Sequence, residues 1–393
     1  MQAITFQNAT VFTGESFLSG ASVRVANGYI QEVSETPNGS TPNDSTVIDL
    51  EGDYLIPGLI DLQLYGGSNL FLNDVPTPET VRHIYETHRR NGTTTLLPTI
   101  HSTSLDIMQQ SMAAVQVIRA EEPYGVPGIH LEGPYFNPIK RGAHSAAFVR
   151  TPAEGELEAL FSTNADVIQI LTLAPEILTP EQLATLHRLK HPNTLLSLGH
   201  SNATYQQAMS AFENGFPLAT HLYNAMRGFE SREPGVVGAV VDHSAVRASI
   251  IADGYHCDPV AIRIAYRLMN NDGSERLFLI SDALFANPPR PNFSLGEFIV
   301  HFEPDPNGPG RYVNNEGKLA GSALTLIDCV RVAVDQAEIP LVNALRMASV
   351  IPAEVIGLGD KLGKIQNGYV ANVVRVDSSL HVKTVWSTGQ AIA

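Results

Sequence analysis

The sequence predicts an α/β fold, a (β/α)8 TIM-type barrel joined to a small discontinuous β-sandwich domain formed by both termini. Three observations predict it. The first ~55 residues alternate short β-rich runs with Gly, Asn, Pro and Ser turns. Beyond them, eight short apolar runs are separated by helix-length amphipathic segments, the rhythm of repeated βα units around a parallel sheet. The last stretch of chain then returns to β patterning. At 393 residues the chain is long enough for one large barrel with an appended unit.

In order along the chain, AITFQNATVF, ASVRVANGYIQEV and STVIDL read as antiparallel strands of the terminal unit. The eight barrel runs are LIDLQLYG (59–66), TTTLLPTI (93–100), VPGIHLEG (126–133), VIQILTLA (167–174), TLLSLGHS (194–201), PLATHLYN (217–224), RASIIADG (247–254) and RLFLISDA (276–283). Between them PETVRHIYETHRRN, SLDIMQQSMAAVQVIRA and TPEQLATLHRLK carry helical periodicity, the last opening on a Thr cap. A hairpin is expected over 293–317, with turn chemistry at DPNG and NNEG, placed where it can cover the barrel mouth. Two helical segments, LTLIDCVRVAVDQA and LVNALRMASV, precede the final strands in KIQNGYVANVVRVD and HVKTVWSTG. The expected division is 1–56 with 357–393 for the β-sandwich domain and 57–356 for the barrel.

Composition narrows the function. Lys and Arg number 25 against 40 Asp and Glu, a formal net charge of −15, which disfavours nonspecific attraction to nucleic acid or anionic membrane. The N-terminal stretch lacks a basic region followed by an apolar core, and no run approaches a membrane span, so the cytoplasm is the expected location. Cys257 and Cys329 lie far apart, so any metal falls to His, Asp, Glu or Gln.

In a barrel of this type the working residues sit at the C-terminal strand ends. Those ends carry Gln63, Tyr65, Glu132, the Ala174-Pro175-Glu176 turn, His200, His221, His256 and Asp282. Glu132 with His200 and His221 makes a three-ligand set for one borderline divalent ion, leaving a position for water. Zinc is the first choice, with iron or another divalent ion as alternatives. Asp282 on the last strand is placed to act as general base and then to return the proton to a leaving nitrogen. His187 and His191 share the i, i+4 spacing of a helical metal pair but fall on an outer helix. They are set aside, as are His83, His88, His101, His130, His243, His301 and His381.

The order and spacing of several segments resemble the N-acetylglucosamine-6-phosphate deacetylases of the amidohydrolase superfamily. These are PGLIDLQLYGG (57–67), HLEGPYFN (130–137), KRGAH (140–144), LGHSNATY (198–205), THLYNAM (220–226), REPG (232–235), IADGYH (251–256), ISDA (280–283) and LAGS (319–322). The resemblance implies hydrolysis of N-acetylglucosamine 6-phosphate to glucosamine 6-phosphate and acetate. Glu132, His200 and His221 match the family's metal ligands, Asp282 its acid/base, and His144 the residue that polarises the acetamide carbonyl. Ala143, His144, Asn224, Ala225, Asp253, Gly254, Tyr255, His256, Leu319, Ala320 and Gly321 match positions that bind sugar and phosphate. Arg232 matches an arginine that reaches the phosphate from the neighbouring subunit, which implies a homodimer.

Where many amidohydrolases carry His-x-His, this chain has Gln63-Leu64-Tyr65, so a single-metal centre is expected, with Gln63 orienting the water. Arg227 is assigned either to phosphate or to solvent. The alternatives to the deacetylase are a related amidohydrolase acting on another N-acetylated sugar or amide, and a non-catalytic binding protein of the same fold.

Overall fold

In the computed structural model the described residues are 3–35, 45–270, 273–286, 289–306 and 308–392. Eight parallel strands, Leu59–Leu64, Thr93–Ile100, Ile129–Glu132, Ile168–Leu173, Leu195–Leu198, Leu218–Ala219, Arg247–Ile251 and Leu277–Ile280, pair in chain order. Each lies within one of the eight expected runs. Most are shorter, because the last residues of a run bend out of the ladder. The run 217–224, for example, is strand only at Leu218–Ala219; beyond it the His221 N–H donates to Ser249 Oγ (2.8 Å) and the Leu222 N–H to Ser249 O (2.8 Å).

The outer helices begin on capping side chains. Thr77, Ser104, Thr179, Thr204 and Asp258 each accept a first-turn N–H, and Thr179 and Thr204 complete capping boxes with Gln182 and Gln207. Each such cap contributes about 1 kcal/mol. Apolar faces such as Val81, Ile84 and Tyr85, or Met108, Met112, Val115 and Ile118, then close over the barrel wall.

The barrel seam joins the first strand to the last at the catalytic rim. Asp282 N–H donates to Gln63 O (3.0 Å) and Tyr65 N–H to Ala283 O (2.9 Å). Below them Asp61, fully buried, accepts the N–H of Gln63 (3.2 Å) and of Ser281 (3.3 Å). Burial pushes the Asp61 carboxyl up to about 7, above the ordinary carboxylate value of about 3.9 expected in the unfolded chain. A carboxyl raised on folding contributes stability that is complete below the unfolded value and is lost as pH rises through the folded one. The stability of wild type relative to Asp61→Asn is therefore expected to fall by a few kcal/mol between about pH 4 and pH 7. Denaturant melts across that range test it, and a pH-independent difference would refute it.

Strands from both chain ends form the second unit. Its sheet runs Gln390–Ala391, Val382–Ser387, Val373–Val376, Tyr54–Pro57, Ala3–Phe12, Phe17–Ala26, Tyr29–Ser34, with Ser45–Asp49 parallel to the start of Ala3–Phe12. It curls over a core of Phe6, Val11, Val23, Ile30, Leu55, Val373 and Trp386, with Phe6 and Trp386 edge to face at 4.7 Å. Tyr54–Pro57 passes directly into the first barrel strand through Gly58. A Cβ there would lie 2.0 Å from Thr94 Oγ1, so only glycine lets the two units join so closely.

The expected hairpin is a three-stranded antiparallel sheet, Asn292–Leu295, Phe298–Glu303 and Arg311–Asn314. The turn at NNEG is present, Gly317 N–H donating to Asn314 O (2.8 Å). The turn expected at DPNG includes Asn307, outside the described residues. Phe293, Leu295, Phe298, Val300 and Tyr312 pack onto Tyr65, Phe71, Leu284 and Phe285 at the barrel rim. Glu297 accepts from Arg141 (3.0 Å) and from the Ala146 N–H (3.0 Å), while Tyr255 OH donates to Asp305 (2.7 Å). The small sheet is thereby fastened over one side of the mouth.

Candidate active site

Glu132, His200, His221 and Asp282 converge at the C-terminal rim. Three of them hold left-handed backbone, His200 at φ 49°, His221 at 38° and Asp282 at 55°. Non-glycine residues adopt this region at a cost, and such strain gathers at functional sites. Each turns out of its strand just where its side chain must aim inward.

Hydrogen bonds set the state of two imidazoles, those of His200 and His144. His200 Nδ1 lies 2.9 Å from Lys140 O, an acceptor, so Nδ1 carries the hydrogen and Nε2 keeps its lone pair. His144 is the reverse. Its Nδ1 accepts the Ser102 backbone N–H (3.1 Å), so Nε2–H points into the site, 3.0 Å from Glu132 Oε2.

The three candidate ligand atoms are mutually close. His200 Nε2 and His221 Nε2 are 3.1 Å apart, and they lie 3.3 and 3.0 Å from Glu132 Oε1. Ligand atoms bound at about 2.0–2.1 Å in tetrahedral geometry sit roughly 3.3 Å from one another. Two imidazoles and a carboxylate therefore fit one divalent cation. Burial opposes charge on Glu132, yet the His144, His200 and His221 imidazoles hold it well below the usual carboxylate range.

Asp282 faces this cluster from the last strand. Burial and the charge of Glu132 push its carboxyl well above the ordinary value, a setting that favours proton uptake. Gln63 lies beneath, its Nε2 2.9 Å from Glu132 Oε1, from Asp282 Oδ1 and from Tyr65 OH. The two amide hydrogens are thus engaged by groups of the protein, and only the amide oxygen is left for water. Tyr65 OH donates to Glu132 Oε2 at 2.5 Å.

A cavity of about 160 Å3 opens above these groups. Of the expected substrate-binding residues, Ala143, His144, Asn224, Ala225, His256, Leu319 and Gly321 line it. Gly321 is at φ +64°, where a Cβ would lie 3.0 Å from Asp282 O and 2.6 Å from Leu284 Cγ, so glycine lets this loop reach the wall. Asp253 lies behind His256, accepting its backbone N–H (2.8 Å) with one carboxylate oxygen and holding Nδ1 at 2.6 Å with the other. Gly254, Tyr255 and Ala320 sit in the same loops outside the lining.

The amidohydrolase family model matches residues 54–392. The chain belongs to the amidohydrolase family. An N-acetylgalactosamine-6-phosphate deacetylase from Shewanella sp. (strain ANA-3) is 35% identical, covering 98% of this chain and 94% of the relative. An N-acetylglucosamine-6-phosphate deacetylase from Haemophilus influenzae is 33% identical over 93% of each chain. Among solved structures, an N-acetylglucosamine-6-phosphate deacetylase from Pasteurella multocida superposes with a TM-score of 0.91 at 32% identity, covering 100% of both chains.

In this amidohydrolase the two arginines singled out in the sequence stand apart from the cavity. Among the described residues no Lys or Arg lines it. Arg232 is exposed beside the turn in which the Glu230 N–H donates to Glu233 O (3.1 Å). Arg227 is half-buried and turns toward Asn202 O (3.4 Å).

Two residues at the site went unassigned from sequence. Tyr65 stands at a strand end and in the Gln63-Leu64-Tyr65 triplet without a role, yet its phenol grips Glu132. His101 was set aside with the outer-helix histidines, and the structure corrects this, because it lines the cavity directly after the second barrel strand. The strand-end rule that selected His200 and His221 applies equally to His101 and was the available signal. His130 is a different case: Nδ1 donates to Leu62 O (3.0 Å) and Nε2 pairs with Thr172 Oγ1 (2.7 Å), a satisfied interior histidine.

Proposed function

We propose that this chain hydrolyses the acetamide of N-acetylglucosamine 6-phosphate, giving glucosamine 6-phosphate and acetate. The observation that carries the reading is the mutual 3.0–3.3 Å spacing of Glu132, His200 and His221 ligand atoms opposite Asp282, in a chain whose relatives are hexosamine phosphate deacetylases. Glu132, His200 and His221 would hold a divalent ion, zinc by preference, and when bound it would supply Lewis acidity for the attack on the acetamide. Asp282 takes the proton from water as it attacks, then delivers it to nitrogen as the C–N bond breaks. The His144 Nε2–H, fixed by Ser102, donates to the carbonyl oxygen as that oxygen gains charge. Gln63 and Tyr65 hold the two carboxylates in register.

Ala143, Asn224, Ala225, the Asp253–His256 loop and Leu319–Gly321 are assigned to the sugar and phosphate. A homodimer in which Arg232 of each chain serves the other's phosphate would supply the cationic side chain that phosphate calls for. The barrel unit is assigned to 57–356, the sandwich to 1–56 with 357–393, and the location to the cytoplasm. Among the described residues no helix is long and apolar enough to cross a membrane.

The Shewanella relative favours a second reading, the C4 epimer N-acetylgalactosamine 6-phosphate. Acetate release from N-acetylglucosamine, N-acetylgalactosamine and N-acetylmannosamine, each with and without 6-phosphate, decides between them. The gluco phosphate is expected to have the highest kcat/KM, and the unphosphorylated sugar a value roughly 10²-fold lower, the worth of two or so charge-assisted hydrogen bonds. Arg232→Ala should raise KM for the phosphate by about tenfold or more with kcat little changed. Equal turnover with and without phosphate would overturn the substrate assignment.

A further inference from the structure

His101 presents a buried polar group that the mechanism above leaves unused. Asn73 pins its backbone at two points, accepting the His101 N–H (2.9 Å) and donating to the His101 carbonyl (3.1 Å). The ring stacks on Tyr65 at 4.2 Å and stands 4.5 Å from His144, between centroids. Yet both ring nitrogens are buried without a hydrogen-bond partner among the described residues. Leaving one such atom unpaired costs about 1–3 kcal/mol, and a precisely anchored ring that bears two of them faces something it is built to meet.

One ring nitrogen of His101 lies within 4.8 Å of candidate ligand atoms of both Glu132 and His144. At this triplet His144 acts as a donor rather than a ligand: its Nδ1 accepts the Ser102 N–H (3.1 Å), so its Nε2 bears the hydrogen. The same hydrogen makes the pair suited to an anion. A ring nitrogen of His101 and one of His144 lie no more than 4.8 Å apart, close enough for two N–H donors to reach a single oxygen, since each spans about 2.7–3.1 Å. In either protonation state the His101 imidazole bears at least one ring N–H.

We propose that His101 is a catalytic residue that donates, together with His144, a hydrogen bond to the acyl oxygen of the substrate as that oxygen becomes anionic. The inference rests on the deacetylase reading. It makes the acyl oxygen's pocket a pair of donors from two different strand ends.

His101→Phe keeps the ring that stacks on Tyr65 and removes the donor, while His101→Gln keeps an N–H. With N-acetylglucosamine 6-phosphate as substrate, the Phe variant is expected to lose kcat by roughly 10²-fold, with the Gln variant recovering part of the loss. Metal content and affinity for glucosamine 6-phosphate, which lacks the acyl oxygen, are expected to remain within about twofold of wild type, as for an interaction made only in the transition state. Wild-type kcat in the Phe variant, or an equal loss of glucosamine 6-phosphate affinity in both variants, would overturn the proposal. Absence of acetate release by wild type would instead remove the deacetylase reading on which it stands.

Discussion

Asp282→Asn is expected to retain its full metal content and to lose turnover by on the order of 10⁴-fold, the upper end of what a general acid–base group contributes. The upper end is expected because one carboxylate performs both proton transfers. The substitution is conservative for the fold. Asn tolerates the left-handed backbone that Asp282 adopts at φ 55°, and its side-chain oxygen still accepts from Gln63 Nε2, now at 2.9 Å. The backbone bonds from Asp282 N–H to Gln63 O (3.0 Å) and from Ser322 N–H to Asp282 O (2.8 Å) are untouched. An amide, however, neither accepts a proton from water nor donates one to the leaving nitrogen at neutral pH. Single-turnover acetate release with metal analysis on the same preparation checks this. Residual deacetylation within tenfold of wild type would remove Asp282 from its assigned role.

Removing the divalent ion by chelation is expected to abolish activity, and one equivalent to restore it in wild type but not in His221→Ala. A Lewis acid at such a site contributes several kcal/mol, so the loss is on the order of 10³-fold or more. His221→Ala removes one of three ligand atoms that stand 3.0–3.3 Å apart. It also places alanine at φ 38°, which supplies no compensating contact. Titration of metal-depleted protein, followed by acetate release and bound-metal measurement, reads both effects. Restoration that requires two equivalents would point to a second ion and against the single-metal reading of Gln63-Leu64-Tyr65.

Much of this architecture was legible in the chain. The eight barrel strands fall inside eight apolar runs because burial on both faces of a parallel strand writes a continuous apolar stretch. Glu132, His200, His221 and Asp282 stood out because each is a polar group directly after such a run. The helix opening on Thr179 announced itself by local capping chemistry. Strand lengths were overestimated at the C-terminal ends, most of all at 217–224. There the ladder is broken by side-chain and positive-φ geometry that an apolar pattern does not record.

The role of Gln63 shows the limit most clearly. From sequence it is a neutral amide at a metal-ligand position, and orienting water is the natural assignment. In the folded protein its amide nitrogen bridges two carboxylates, one 69 and the other 219 positions away. Tyr65 meets Glu132 across 67 positions and His144 meets Ser102 across 42. None of these separations has a period.

The sequence by itself determined the barrel, the terminal sandwich and the identity of the residues at the strand ends, since periodicity, turn residues and caps are properties of neighbours along the chain. Only the tertiary structure decided which nitrogen of His144 and of His200 bears the hydrogen, that Gln63 and Tyr65 clamp the carboxylates, and that His101 faces the cavity. Those outcomes depend on single hydrogen bonds between distant segments, and such bonds acquire partners only when the first strand closes against the last.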